Sequence, residues 1–330
     1  MAYTTIDDPE AHFRIKLYAG NGSSDRAITF DTTDTTMQPD LVWLKNRSSS
    51  ANHALMGTGL NTGDYIRAND THAETSGADV LNSIDSNGFE IGSSGAINND
   101  SGDNYVAWCW KESATAGFDI VTYTGNGSNR TISHGLGAAL DYIIVKNRAT
   151  TNQWCIYNRP QSAEKFIHFD ANDGESDAST PWQDTEPTSS VFSVGASNLT
   201  NGNGNAMIAY CFAPIQGFSK FGSYIGNGNA DGIYVHLGFA PKFLLIKGTA
   251  NNREWIQTDF TRQNYNDGST PTVWTNLPDA EGNYAIDYLS NGFKQRSSGA
   301  SLNSSGNTYF YMAFAESPFV NSKGVPCNAR

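Results

Sequence analysis

The sequence predicts an all-β fold: three tandem, homologous antiparallel β-sandwich domains of jelly-roll or lectin-like type. Three observations carry the prediction. Gly, Asn, Ser and Thr are abundant and charged residues are sparse, at 16%, which depletes helix formers and supplies turns. No long stretch shows 3.6-residue apolar periodicity, and no heptads occur. Five sequence blocks also recur three times in the same order.

The first block is YAGNG (18–22), YTGNG (123–127) and YIGNG (224–228). Gly and Asn tolerate positive φ and the NG pair favours a type I′ turn, so each is expected to be the first hairpin of its domain. FRIKLYAG, just before the first turn, alternates as a half-buried strand does. The second block is LVWLKNR (41–47), YIIVKNR (142–148) and FLLIKGT (243–249). LVWLKNR is apolar on both faces and charged at its end, the pattern of a central strand. HALM (53–56), QWCIY (153–157) and EWIQT (254–258) follow. Next come SNGFEIGSS (86–94), SSVFSVGAS (189–197) and SNGFKQRSS (290–298), where SNGF again signals a hairpin. The last block is an aromatic strand beginning at Gly102, Gly204 and Gly306, a constant step of 102 residues.

The expected domains are therefore 13–113, 118–215 and 218–317, with about seven or eight strands each. The linkers 114–117 and 216–217 are short enough to pack the domains closely, around a pseudo-threefold axis. The head (1–12) and tail (318–330) lie outside the repeats. Two readings stand for them: arms that dock on a neighbouring subunit, or simple fraying.

Charge and composition exclude several classes of function. Lys plus Arg is 21 and Asp plus Glu is 33, a net charge of −12, so a phosphate backbone is repelled and nucleic acid is not an expected partner. The first residues have neither a basic nor an apolar leader region, and no run of 18 apolar residues occurs. Synthesis in a reducing cytoplasm, without membrane insertion, is the expectation. Cys109 and Cys211 share one repeat position, which holds Ala313 in the third copy. That pattern reads as a small buried strand position rather than a nucleophile.

Chemistry-bearing motifs are few. His134 and His236 align between copies two and three, and read as loop-bonding groups rather than metal ligands. DANDGESD (170–177) and NYNDGST (264–270) put Asp170, Asp173 and Asp267 beside amides and glycine. Such loops can hold Ca²⁺, though a solvated Asx turn is the reading preferred, and no cofactor is expected. No GxSxG elbow or HExxH motif occurs, so no enzyme is expected. Tyr65, Trp182, Tyr265 and Trp274 lie in polar, loop-like sequence. Aromatic rings beside amides stack on sugar faces, which makes these four the candidate ligand-binding residues.

The start MAYTTIDDPEAHF, the repeated Y-x-GNG, HGLG (134–137), SNGF, GDNYVAWCWK (102–111) and the end AFAESPFVNSKGVP together resemble a group of bacteriophage virion proteins. That group is common in marine and freshwater tailed phages. The resemblance covers almost the whole chain. It implies a structural role in the virion, often as a tail fibre or tail-associated part. Oligomers, contacts with other virion proteins and attachment to a host-surface glycan are the expected partnerships. The sequence shows no long shaft, which keeps capsid decoration as the alternative, with a glycan-degrading enzyme as a more remote one.

Overall fold

A computed structural model describes residues 2–31, 35–77, 79–263 and 265–327. The chain is all-β, built from several antiparallel sheets, and one strand order recurs along it. The larger sheet of the first segment runs Phe13–Ala19, Asn104–Trp110, Leu41–Asn46, Ala54–Gly57. In the second segment it runs Phe118–Thr124, Ala206–Phe212, Tyr142–Asn147, Cys155–Asn158, then two further strands. In the third it runs Ser219–Ile225, Thr308–Pro318, Phe239–Gly248, Ile256–Asp259, again with two more. The register recurs as well: Leu41, Tyr142 and Phe243 stand opposite Trp110, Phe212 and Phe314. A smaller sheet accompanies each. These are Arg26–Thr29 with Gly88–Ile91 and Leu81–Asp85, then Arg130–Ser133 with Val191–Val194, then Tyr234–His236 with Gly292–Gln295 and Ile286–Leu289.

Alternation along the central strand explains its two-sided apolar sequence. Val42 and Leu44 pack with Ile28, Phe89 and Ile91 of the smaller sheet. Leu41 and Trp43 face the other way, into a cluster that draws residues from all three segments. Phe314 lies at the heart of that cluster, 5.7 Å from Trp110 and 5.9 Å from Phe212 between ring centroids. The larger sheets thus share one aromatic centre. Cys109, Cys211 and Ala313 are all fully buried, as small strand residues.

The segments close head to tail. Lys45, Lys146 and Lys247 are fully buried. The Lys45 ammonium donates to the carbonyl of Pro278, Lys146 to that of Thr71, and Lys247 to that of Asp173. Segment one therefore grips segment three, two grips one, and three grips two. The indole N–H of Trp154 donates to the Arg67 carbonyl and that of Trp255 to the His168 carbonyl, both at 2.9 Å. His53, at the matching position, sets Nε2 3.1 Å from the Trp274 carbonyl. Backbone bonds from Glu74 to Arg148, Glu175 to Thr249 and Glu281 to Arg47 complete the cycle. Burial pulls the lysine pKa values down, to about 8 for Lys45 and Lys146 and about 7 for Lys247. The strand end that reads as charged in sequence is a buried latch.

The YxGNG turns are not hairpins. Phe13–Ala19 pairs with Asn104–Trp110, whereas Arg26–Thr29 pairs with Gly88–Ile91, so the turn carries the chain from one sheet to the other. The second glycine of each turn has left-handed φ: 72°, 65° and 69° at Gly22, Gly127 and Gly228. The central Asn does not, and a type I′ turn needs two such residues. The first glycine is required for close approach. A Cβ at Gly20, Gly125 or Gly226 would lie 1.9, 2.1 or 2.3 Å from a backbone carbonyl oxygen. Buried Asn99, Asn201 and Asn303 hold the turn, each accepting from the N–H of its Asn at 2.9–3.0 Å. The turn tyrosines donate to the carbonyls of Asn98, Thr200 and Leu302. The SNGF turns are hairpins, with Asp85 opposite Gly88 and Leu289 opposite Gly292.

The head lies on its own chain. Tyr3 donates to the Gly238 carbonyl at 2.6 Å, and Ile6 is buried in the central cluster. Asp7 accepts from the Ser322 N–H at 2.6 Å, tying head to tail. These contacts hold the head against the body of the chain rather than leaving it frayed. Met1 and the last three residues of the tail lie outside the described residues.

Candidate ligand-binding site

The third segment carries a longer loop between Ile256–Asp259 and Thr270–Trp274. Its base is fixed by Arg262, which is buried, ion-paired at 2.6 Å with both Asp259 and Glu281, and set 5.2 Å over the Trp108 ring. Gln263 donates to the Asn266 side chain and to the Ile286 carbonyl. Asn266 in turn donates to the Tyr288 carbonyl at 2.9 Å and accepts from the Tyr288 N–H at 2.8 Å. Tyr265 stands between these anchors with φ of 37°, a region that bulky residues rarely occupy. The residue is 85% exposed, and its ring lies edge-on to Phe260, 6.0 Å away. The turn spends its hydrogen bonds on presenting one ring to solvent.

Tyr265 lines a cleft of about 760 Å³ together with Phe260, Tyr288, Asn266, Ser290, Asn291 and Glu316. Asn291 links the cleft to a second tyrosine. The Tyr234 hydroxyl donates to the Asn291 side chain at 2.6 Å and lies 3.3 Å from His236 Nδ1. Tyr234 is 43% exposed. Registers place Ala27 and Thr131 at its position in the other segments, because Ile28, Ile132 and Val235 all stand opposite the smaller sheet's phenylalanine. Among the described residues, the large apolar side chains that stand exposed are Ile225, Tyr234, Tyr265, Phe319 and Val325, all in the third segment or the tail.

The other candidate aromatics are elsewhere. Trp182 is 2% exposed and packs against Tyr157 in the second segment's core. Tyr65 is also 2% exposed; its backbone bridges Thr75 and Arg67 covers its ring. Neither can meet a ligand, which corrects the sequence expectation. Trp274 is half-buried at the end of its strand, with its ring against Tyr284.

The aspartates do not gather. Asp170 is turned inward to accept from the Trp154 N–H, and burial raises its pKa. Asp173 lies 3.4 Å from His168, and Asp267 accepts from the Ser269 N–H. Asn264, the first residue of NYNDGST, lies outside the described residues. Among the described residues no three His, Cys, Asp or Glu side chains come together to hold a metal. The two aligned histidines prove not to be equivalent. His134 is buried and bonds the Thr188 carbonyl, while His236, at the register position of Ser133, is exposed. One residue of slip has changed the face.

A cluster that the sequence did not reveal lies where segments one and two meet. Asp40, Glu112 and Asp119 line a cleft of about 350 Å³. Burial, a hydrogen bond to Asp119 and the charges of Asp119 and Asp40 raise the Glu112 pKa to about 7. Glu112 and Asp119 are in hydrogen-bonding contact. The paired carboxylates of glycoside hydrolysis stand further apart, roughly 5 to 9.5 Å.

The fold is thus a closed ring of three two-layered antiparallel segments around one core, with an aromatic and amide cleft on the third. The DUF7483 family, described as a domain of unknown function, matches residues 8–318, and the chain belongs to it. The match takes in all three segments as one unit. No curated protein matches the chain.

Proposed function

We propose that this is a non-catalytic structural protein of a bacteriophage virion, a tail-associated appendage that contributes to attachment at a host-surface glycan. The observation that carries the reading is that, among the described residues, the exposed large apolar side chains lie in the third segment and tail, with Tyr265 held out on a pinned turn. Exposed aromatics rimmed by amides are how proteins grip sugars and partner surfaces. The sequence resemblance to virion proteins supports the setting. Immunogold labelling of intact particles tests it: label at the tail is expected. A second reading, capsid decoration, is favoured by the compact closed ring with its ends docked on itself. Label over the head would overturn the tail reading in its favour.

A further inference from the structure

We infer that the Tyr265 cleft, extended through Asn291 to Tyr234, is a subsite for an uncharged saccharide. This deepens the attachment reading and rests on it. The cleft offers what a pyranose face needs. Tyr265 is a presented ring whose position costs little to fix on binding, because Gln263 and Asn266 already fix its turn. A strained φ at an exposed bulky residue is retained where presentation matters. Asn291, whose oxygen holds the Tyr234 hydroxyl, brings its amide N–H donors to the cleft.

The charge pattern selects the class of sugar. Glu316 lines the cleft, and the chain carries a net −12. The nearby cations are engaged: Lys242 with Glu316 at 4.0 Å, Lys220 with the His236 carbonyl, and Lys294 with Asp231. A sulfated or uronate chain would meet negative potential without a dedicated cation, whereas neutral hydroxyls meet acceptors and donors. The other segments have Ala27 and Thr131 where the third has Tyr234, so neither carries a tyrosine at that register position.

The test titrates the full chain with neutral hexose hexamers (gluco, manno and galacto), and with sulfated and uronate hexamers, by ligand-observed NMR. Saturable binding of a neutral hexamer is expected. Tyr265→Ala should weaken it about tenfold, Tyr234→Ala less, and Tyr265→Phe should retain it. Thermal melting of Tyr265→Ala should match the parent, because the residue is mostly in solvent. No saturation by a neutral hexamer below about 10 mM, preference for the anionic set, or indifference to Tyr265→Ala would each overturn the inference. Binding of fluorescent protein to host cells separates the two claims. Cell binding unaffected by Tyr265→Ala overturns the subsite and leaves attachment standing. Absence of cell binding by the parent protein overturns attachment itself.

Discussion

Asn201 shows how a turn motif can hide its key residue. Its side chain serves the Asn126 N–H and the carbonyls of Ser128 and Gly195 from a fully buried position. Asn201→Leu leaves those groups unpaired, so a loss of about 2–3 kcal/mol is expected in urea unfolding. YTGNG was legible; its partner, 75 residues later, was not, because no local pattern marks a buried amide. The same limit misplaced Trp182 and Tyr65, whose polar neighbours imply a loop but not which way the ring turns. Tyr265 was legible as a polar-loop aromatic and is exposed. Glu112 gives a pH signature. Its folded pKa, about 7, exceeds the ordinary 4.5, so its contribution is fully present below about pH 4.5 and is lost as pH rises through 7. The melting temperature of the parent minus that of Glu112→Gln should therefore fall between pH 5 and pH 8. A flat difference would refute the raised Glu112 pKa.

The GNG crossovers make a sharper demand than the hairpins predicted from them. Gly125 faces the Gly202 carbonyl at a distance no side chain tolerates, while Gly127 needs only its left-handed φ, with Asn203 as its near neighbour. Gly127→Ala is expected to cost about 1 kcal/mol and Gly125→Ala distinctly more, read by the urea midpoint. Equal losses would mean the carbonyl can move aside. Strands were legible from alternation and aromatic content, and the SNGF hairpins from their turn residues. The pairing of YxGNG was not, because the same glycines serve a hairpin or a crossover and only the partner strand decides. DANDGESD reads as a solvated turn, yet in loops 67–75, 168–175 and 274–281 backbone carbonyls receive buried lysines, tryptophans and a histidine of the next segment.

The three segments should unfold together, since they share a core. Phe314→Ala removes a ring in contact with Trp110, Phe212 and Phe243 and is expected to cost about 3–5 kcal/mol. Calorimetry should show one transition in the parent and in this variant; separate melting of the segments would contradict the shared centre. The threefold repeat was plain in the sequence, and so was the expectation of close packing. The seams were not, because each joins residues far apart in the chain with no common motif. They also differ from one another. Arg47–Glu281 and Arg148–Glu74 seal two of them, while the third has Thr249 in place of the arginine, with Glu175 paired to Lys165. Closure within one chain has a consequence for polymerisation. Among the described residues each gripping lysine meets its receiving carbonyl inside the ring. A chain cut back by one segment would bear one face of each kind, unsatisfied, and would add copies end to end.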